Sequence, residues 1–128
     1  MALPGAYAQY TNSKILTATP SELTLMLYDG AIKFCTIAAE AIVKKDISKA
    51  HANIVKVENI INYLRQTLDM KYAVAQEFEK MYVYIYDRLV EANMKKDREI
   101  LDEINVHLHS IRDTWKEVMR INREKGKV

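Results

Sequence analysis

The chain has 128 residues, 49% of them apolar, and 19 basic residues against 17 acidic ones leave a formal charge of +2. That is enough for one domain with one core, and the near balance argues against a dedicated nucleic-acid binder, which concentrates basic charge on one face. Three glycines and two prolines are too few for the turns of a sheet protein of this length, so the composition points to long helices with short connections.

Residues 1–18 contain "AYAQYTNSKILTA", with Tyr7, Tyr10, Ile15 and Leu16 but no strong helical period. They read either as a flexible leader or as a segment that folds over the rest and caps it. The first helix is expected over 19–45. In "TPSE", Thr19 is an N-cap, Pro20 suits the first helical position and Glu22 completes a capping box. The stretch "LTLMLYDGAIKF", residues 23–34, places Asp-Gly between two apolar runs, which is also a hairpin signal. Projected at helical steps, however, Glu22, Asp29, Lys33, Glu40 and Lys44 fall within an arc of roughly 60°. Asp29 with Lys33 and Glu40 with Lys44 are acid-before-base pairs one turn apart, and no capping residue follows Gly30. The helix reading wins. Gly30, at the edge of an apolar stripe, is then expected to let a neighbouring helix or the N-terminal segment approach closely.

The second helix is expected over 46–69, with Asp46 as N-cap and a seam of Ile47, Ala50, Ile54, Val57, Ile61, Leu64 and Leu68 at alternating steps of three and four. The third is expected over 72–93, with Ala75, Phe78, Tyr82, Ile85, Leu89 and Ala92 on one stripe. The fourth is expected over 97–124, with Asp97 as N-cap and Leu101, Ile104, Leu108, Ile111, Trp115 and Val118 in line. The basic end, 125–128, reads as a solvated tail. Short joints make successive helices antiparallel neighbours. The fold class is therefore all-α, an antiparallel up-down-up-down four-helix bundle with an N-terminal capping segment.

Little in the chain suggests catalysis. No Glu-x-x-His pair of the di-iron type occurs. His107 and His109 point about 200° apart on a helix and cannot share an ion. "HANIVKV" after His51 lacks the lysine and glycine expected beside a phospho-accepting histidine, and no glycine-rich phosphate loop is present. Cys35 is the lone cysteine and sits in an apolar run, as a buried thiol would. With no signal peptide it points to the cytoplasm. No apolar run is long enough to insert in a membrane. Neither an enzyme nor a cofactor is expected.

Surplus apolar surface is more informative. The first helix carries two stripes, Leu23, Leu27, Phe34, Ala38 and Ala41, and Leu25, Tyr28, Ile32, Cys35 and Ala39. Ile60 and Tyr63 lie beside the second seam, and Tyr84 and Tyr86 beside the third. A wide core with boundary tyrosines and a groove for a partner's amphipathic helix both fit. A structural homodimer burying the same stripes is the competing reading.

"YTNSKILTATPSELTLMLYDGAIKF" (residues 10–34), "YIYDRLVEAN" (84–93) and "IRDTW" (111–115) closely resemble the FliS family, the flagellin-specific secretion chaperones of bacterial flagella. The resemblance runs from about Tyr7 to Trp115. It implies a cytoplasmic helical bundle that binds the disordered C-terminal segment of flagellin, prevents premature polymerisation and assists export by the flagellar type III apparatus, with the export-gate protein as a second partner. It further implies that Tyr7 and Tyr10 belong to a movable segment covering the apolar surface. Together with the surplus stripes it gives a candidate partner surface of Tyr7, Tyr10, Leu25, Tyr28, Ile32, Ile60, Tyr63, Tyr84 and Tyr86, on a monomer or weak dimer. The joint between the second and third helices often contains glycine in that family, and "LDMKYAVA" has none.

Overall fold

The computed structural model describes residues 16–126. Among these, the long elements are four helices: α1 (Pro20–Val43), α2 (Ile47–Gln66), α3 (Ala75–Lys95) and α4 (Arg98–Gly126). Tyr7, Tyr10 and the rest of the expected cap up to residue 15 lie outside the described residues. The capping box at α1 forms as the sequence dictates: the Glu22 amide donates to Thr19 Oγ1 at 3.1 Å and the Thr19 amide to Glu22 Oε1 at 3.4 Å. Asp46 Oδ1 accepts the Lys49 amide, and Asp97 Oδ1 the Glu99 amide.

The α1–α2 and α3–α4 joints share one design. After α1, the Asp46 amide bonds Ala41 O and the Lys45 amide bonds Ile42 O, the two bonds of a Schellman motif. After α3, the Asp97 amide bonds Ala92 O in the same way. Lys45 (φ 61) and Lys96 (φ 49) hold the left-handed position, at a penalty of about 1 kcal/mol or more for a residue with a Cβ. Each aspartate then caps the next helix, so one residue ends one turn and begins another.

The α2–α3 joint differs from the expected spans. α2 stops at Gln66, not 69, and α3 starts at Ala75, not 72. Thr67 turns its hydroxyl back to Tyr63 O, the Lys71 amide bonds Asp69 Oδ1, and Val74 caps α3 with no side-chain bond. The joint is thus an Asx-type turn. Among the described residues no left-handed position falls within it, which is why it forms without glycine.

Contacts between the helices fix their directions. Along α1, Ser21, Asp29 and Thr36 meet Trp115, Arg112 and Asn105, so α1 and α4 run antiparallel. Arg65 with Glu79 and His51 with Asn93 set α2 against α3, and Tyr84 and Arg88 with Glu103 set α3 against α4. α1 packs on α2 and α4, and α3 on the same two. The core takes Ala50, Ile54, Val57, Ile61 and Leu64 from α2, the whole expected α3 stripe, and Leu101, Ile104, Leu108 and Ile111 from α4. Ile47, expected in the seam, is 50% exposed because it sits in the first turn of α2, at the end of the bundle.

α1 faces the core with neither expected stripe alone. Its buried line is Tyr28, Ala31, Cys35, Ala38 and Ala41, with Leu27, Phe34, Ile32 and Ala39 half-buried on the two sides. Tyr28 and Tyr82 meet across the core, hydroxyl to hydroxyl at 2.5 Å. The expected Asp29–Lys33 pair gives way to a contact across helices: Asp29 reaches Arg112 of α4 at 3.5 Å.

Candidate functional site

Four helices packed in a ring leave four seams on the outside, and their side-chain chemistry separates them. The α3–α4 seam is laced. Glu103 accepts from Tyr84 Oη, from Arg88 Nε at 3.0 Å and Nη2 at 2.9 Å, and lies 3.3 Å from His107 Nε2. Arg88 and Lys95 also hold Glu91, at 2.5 and 2.7 Å. The Tyr84 hydroxyl, with help from Arg88 and His107, keeps the Glu103 carboxyl below the usual carboxylate range. The same bond pushes the Tyr84 phenol up. The α1–α4 seam is bridged by Arg112 with Asp29, Asn105 with Thr36 (2.9 Å) and Trp115 Nε1 with Ser21 O (3.0 Å). At the α2–α3 seam Arg65 meets Glu79 at 2.8 Å, and His51 meets the Asn93 amide.

The α1–α2 seam is bare by comparison. Among the described residues no side-chain hydrogen bond or ion pair joins the two helices across it, and its polar contact is Lys56 Nζ lying 4.9 Å over the Phe34 ring. Gly30 sits here. A Cβ on it would stand 3.7 Å from Ile60 Cδ1 and 3.9 Å from Phe34 Cε2. Those are ordinary van der Waals distances, so the close helix approach expected at Gly30 is not what the glycine serves. What the missing side chain leaves is a shallow apolar notch between Phe34 and Ile60, with Leu27 one turn away and half-buried.

The expected site residues do not converge on one pocket. Ile60 is half-buried at the α1–α2 seam, and Tyr63, nearly a turn further along α2, is 46% exposed. Leu25 and Ile32 are half-buried on the edge of α1 that carries Ser21 and Thr36, toward α4. Tyr84 belongs to the laced α3–α4 seam, its ring edge-on to His107. Tyr86 is half-buried on the edge of α3 that carries Glu79 and Asn93, toward α2. Tyr28 is 1% exposed. It belongs to the core and corrects its placement on a partner surface: its hydroxyl is satisfied by Tyr82, and burial pushes its pKa far up. Leu27, Gly30, Phe34 and Lys56 border the bare seam and were missing from the expected surface. The spacing of Leu23, Leu27 and Phe34 along α1 is the sequence signal that marks it.

Among the described residues no group of three or more His, Cys, Asp or Glu side chains is placed to hold a metal ion. Cys35 is buried against Leu101 O, and burial, with Asp102 nearby, pushes its thiol up to about 12, far from thiolate reactivity. A cleft of about 470 Å³ between the end of α2 and α3, lined by Asn62, Arg65, Leu68 and Glu79 among others, is open and lies away from the bare seam. Among the described residues no helix is long and apolar enough to cross a membrane.

Comparison with known proteins places this geometry in context. The family described as "Flagellar protein FliS" matches residues 3–122. The flagellar secretion chaperone FliS of Bacillus subtilis (strain 168) is 40% identical over 124 residues, covering 97% of this chain and 93% of that protein. FliS of Salmonella typhimurium is 31% identical over 117 residues, covering 88% and 87%. FliS of Escherichia coli (strain K12) is 31% identical over 116 residues, covering 88% and 85%.

Proposed function

The chain belongs to the FliS family, and from that premise we propose that it uses the bare α1–α2 seam to hold the disordered C-terminal segment of flagellin. The family is one of flagellar secretion chaperones, not enzymes. The observation that carries the finer reading is the contrast among seams: three are closed by hydrogen bonds and ion pairs, and one is apolar and, among the described residues, unbridged.

An amphipathic helix laid on that seam would bury apolar surface at roughly 25 cal/mol per Å². Ordering the client opposes this by about 2–5 kcal/mol. One short helix therefore binds weakly, and tight binding needs a segment that continues onto a second face. Leu25 and Ile32 on the α4 side of α1, and Tyr86 on the α2 side of α3, give it apolar places to continue. Holding the segment in this way keeps flagellin from polymerising in the cytoplasm and delivers it to the export-gate protein of the type III apparatus. The N-terminal segment with Tyr7 and Tyr10 covers the seam when no client is bound. Deleting residues 1–17 should then raise binding of an apolar dye, and an unchanged signal would remove the cap from this reading.

Calorimetric titration with a flagellin C-terminal peptide tests the reading directly. Saturable binding with a gain of helical circular dichroism is expected. Absence of heat, or a tight dimer in the ultracentrifuge that the peptide does not perturb, would favour a structural homodimer instead.

A further inference from the structure

The α1–α2 and α3–α4 joints stand at the same end of the antiparallel bundle, and both read Lys-Lys-Asp: Lys44, Lys45, Asp46 and Lys95, Lys96, Asp97. In each the second lysine takes the left-handed conformation, φ 61 at Lys45 and φ 49 at Lys96. Glycine adopts it without penalty. The Schellman bonds use backbone atoms only, so the turns themselves do not call for a lysine side chain. The chain nevertheless places one there twice.

At this end Lys44, Lys45, Lys49, Lys95, Lys96 and Arg98 outnumber Asp46, Asp97 and the exposed Glu99, and part of that positive charge is free to act outward. Among the described residues Lys44, Lys45 and Lys49 enter no ion pair, while Lys95 and Arg98 meet Glu91 and Asp102 along their own helices. Lys96 Nζ leans back on Asn93 O. The Asp46 and Asp97 carboxylates face the helix amides they cap. Between the lysines stand apolar side chains that the core does not use: Val43 is 60% exposed, Ile47 50% and Met94 79%.

We propose that this end of the bundle docks on an anionic lipid surface, with the lysines against the headgroups and Val43, Ile47 and Met94 entering the interface. A peptide partner would be received in a groove, whereas these residues crown two tight turns. A cleft on the flank between α1 and α4 reaches this end at Val43 and Arg98, but its other walls include Glu40 and Asp102, whose like charge does not suit an acidic peptide. A flat charged surface needs no groove. Attachment of this kind is peripheral and reversible, and each lysine close to an anionic leaflet strengthens it roughly fivefold.

Co-sedimentation of the full chain with vesicles decides the matter. At low salt the protein should pellet with vesicles of equal parts phosphatidylglycerol and phosphatidylcholine, not with pure phosphatidylcholine, and added salt should release it. The variant Lys45→Gly with Lys96→Gly relieves both left-handed positions, so it should melt at a higher temperature and yet bind these vesicles roughly twenty-fivefold more weakly. Met94→Ser should weaken binding by a smaller factor that salt does not change. No pelleting with anionic vesicles overturns the proposal, as does a glycine variant that binds like the wild type. Binding to soluble polyglutamate without binding to vesicles would assign this end to an acidic protein and equally overturn it.

Discussion

The α1–α2 and α3–α4 hairpins have the same joint and the same antiparallel course, yet their outer seams differ. On α3–α4, Glu103 gathers Tyr84, Arg88 and His107, and Glu91 extends the ladder to Lys95. On α1–α2, Phe34, Gly30 and Ile60 meet, and among the described residues Lys56 reaches over Phe34. Backbone architecture therefore does not decide surface chemistry. A seam whose polar groups are mutually satisfied offers little to a helical partner, because docking would strip water from charges already paired. A half-buried apolar seam has burial still to gain.

The largest expected effect is on binding. Phe34→Ala or Ile60→Ala should each weaken a flagellin C-terminal peptide by about 2 kcal/mol or more if the bare seam holds an anchor, while Glu103→Gln should leave its affinity unchanged in the same calorimeter. Equal losses at both seams would erase the distinction. In the core that joins the hairpins, Tyr82→Phe strands the Tyr28 hydroxyl and should destabilise by about 1–3 kcal/mol in urea unfolding, with most of the loss restored by adding Tyr28→Phe. Additive losses would show that the pair is not coupled.

Gly30 sharpens the comparison further. Gly30→Ala should raise stability by up to about 1 kcal/mol, since helix propensity improves and the Cβ has room. Gly30→Leu should fill the notch and weaken the peptide. The smallest effect concerns pH. Glu103 has its pKa lowered in the fold, so its contribution is present above the ordinary glutamate range and is lost as pH falls through the lowered value. Glu103→Gln should accordingly flatten the acid limb of stability below about pH 4. The exposure of the group keeps the size small, and an unchanged acid limb would show that Glu103 contributes nothing.

The sequence carried the caps of the two tight joints and three of the four core faces well, although α3 runs on to Lys95 and α4 to Gly126, each two residues past its expected end. Asp46 and Asp97 announced themselves as caps, and the Phe78, Tyr82, Ile85, Leu89 stripe has one apolar side and one polar side. α1 was harder to orient because it is apolar on both flanks, so periodicity leaves its rotation undetermined by tens of degrees. Tyr28 was misplaced for a related reason. A tyrosine reads as a boundary residue, and the hydroxyl that satisfies it comes from Tyr82, far along the chain. The α2–α3 joint hides its turn in local bonds around Thr67 and Asp69, which carry no glycine or proline signal. The lacing of the α3–α4 seam depends on Glu103 meeting Tyr84 and Arg88 from another helix, which no local spacing reveals. The candidate surface was accordingly legible as excess apolar residues, but not as a particular seam.

The most direct measurement is the peptide titration repeated across a temperature range. Burial of an apolar client on the α1–α2 seam predicts saturable binding with a negative heat-capacity change, reduced by Ile60→Ala and Phe34→Ala and unaffected by Glu103→Gln. Binding that is absent, or that survives both seam substitutions intact, would contradict it.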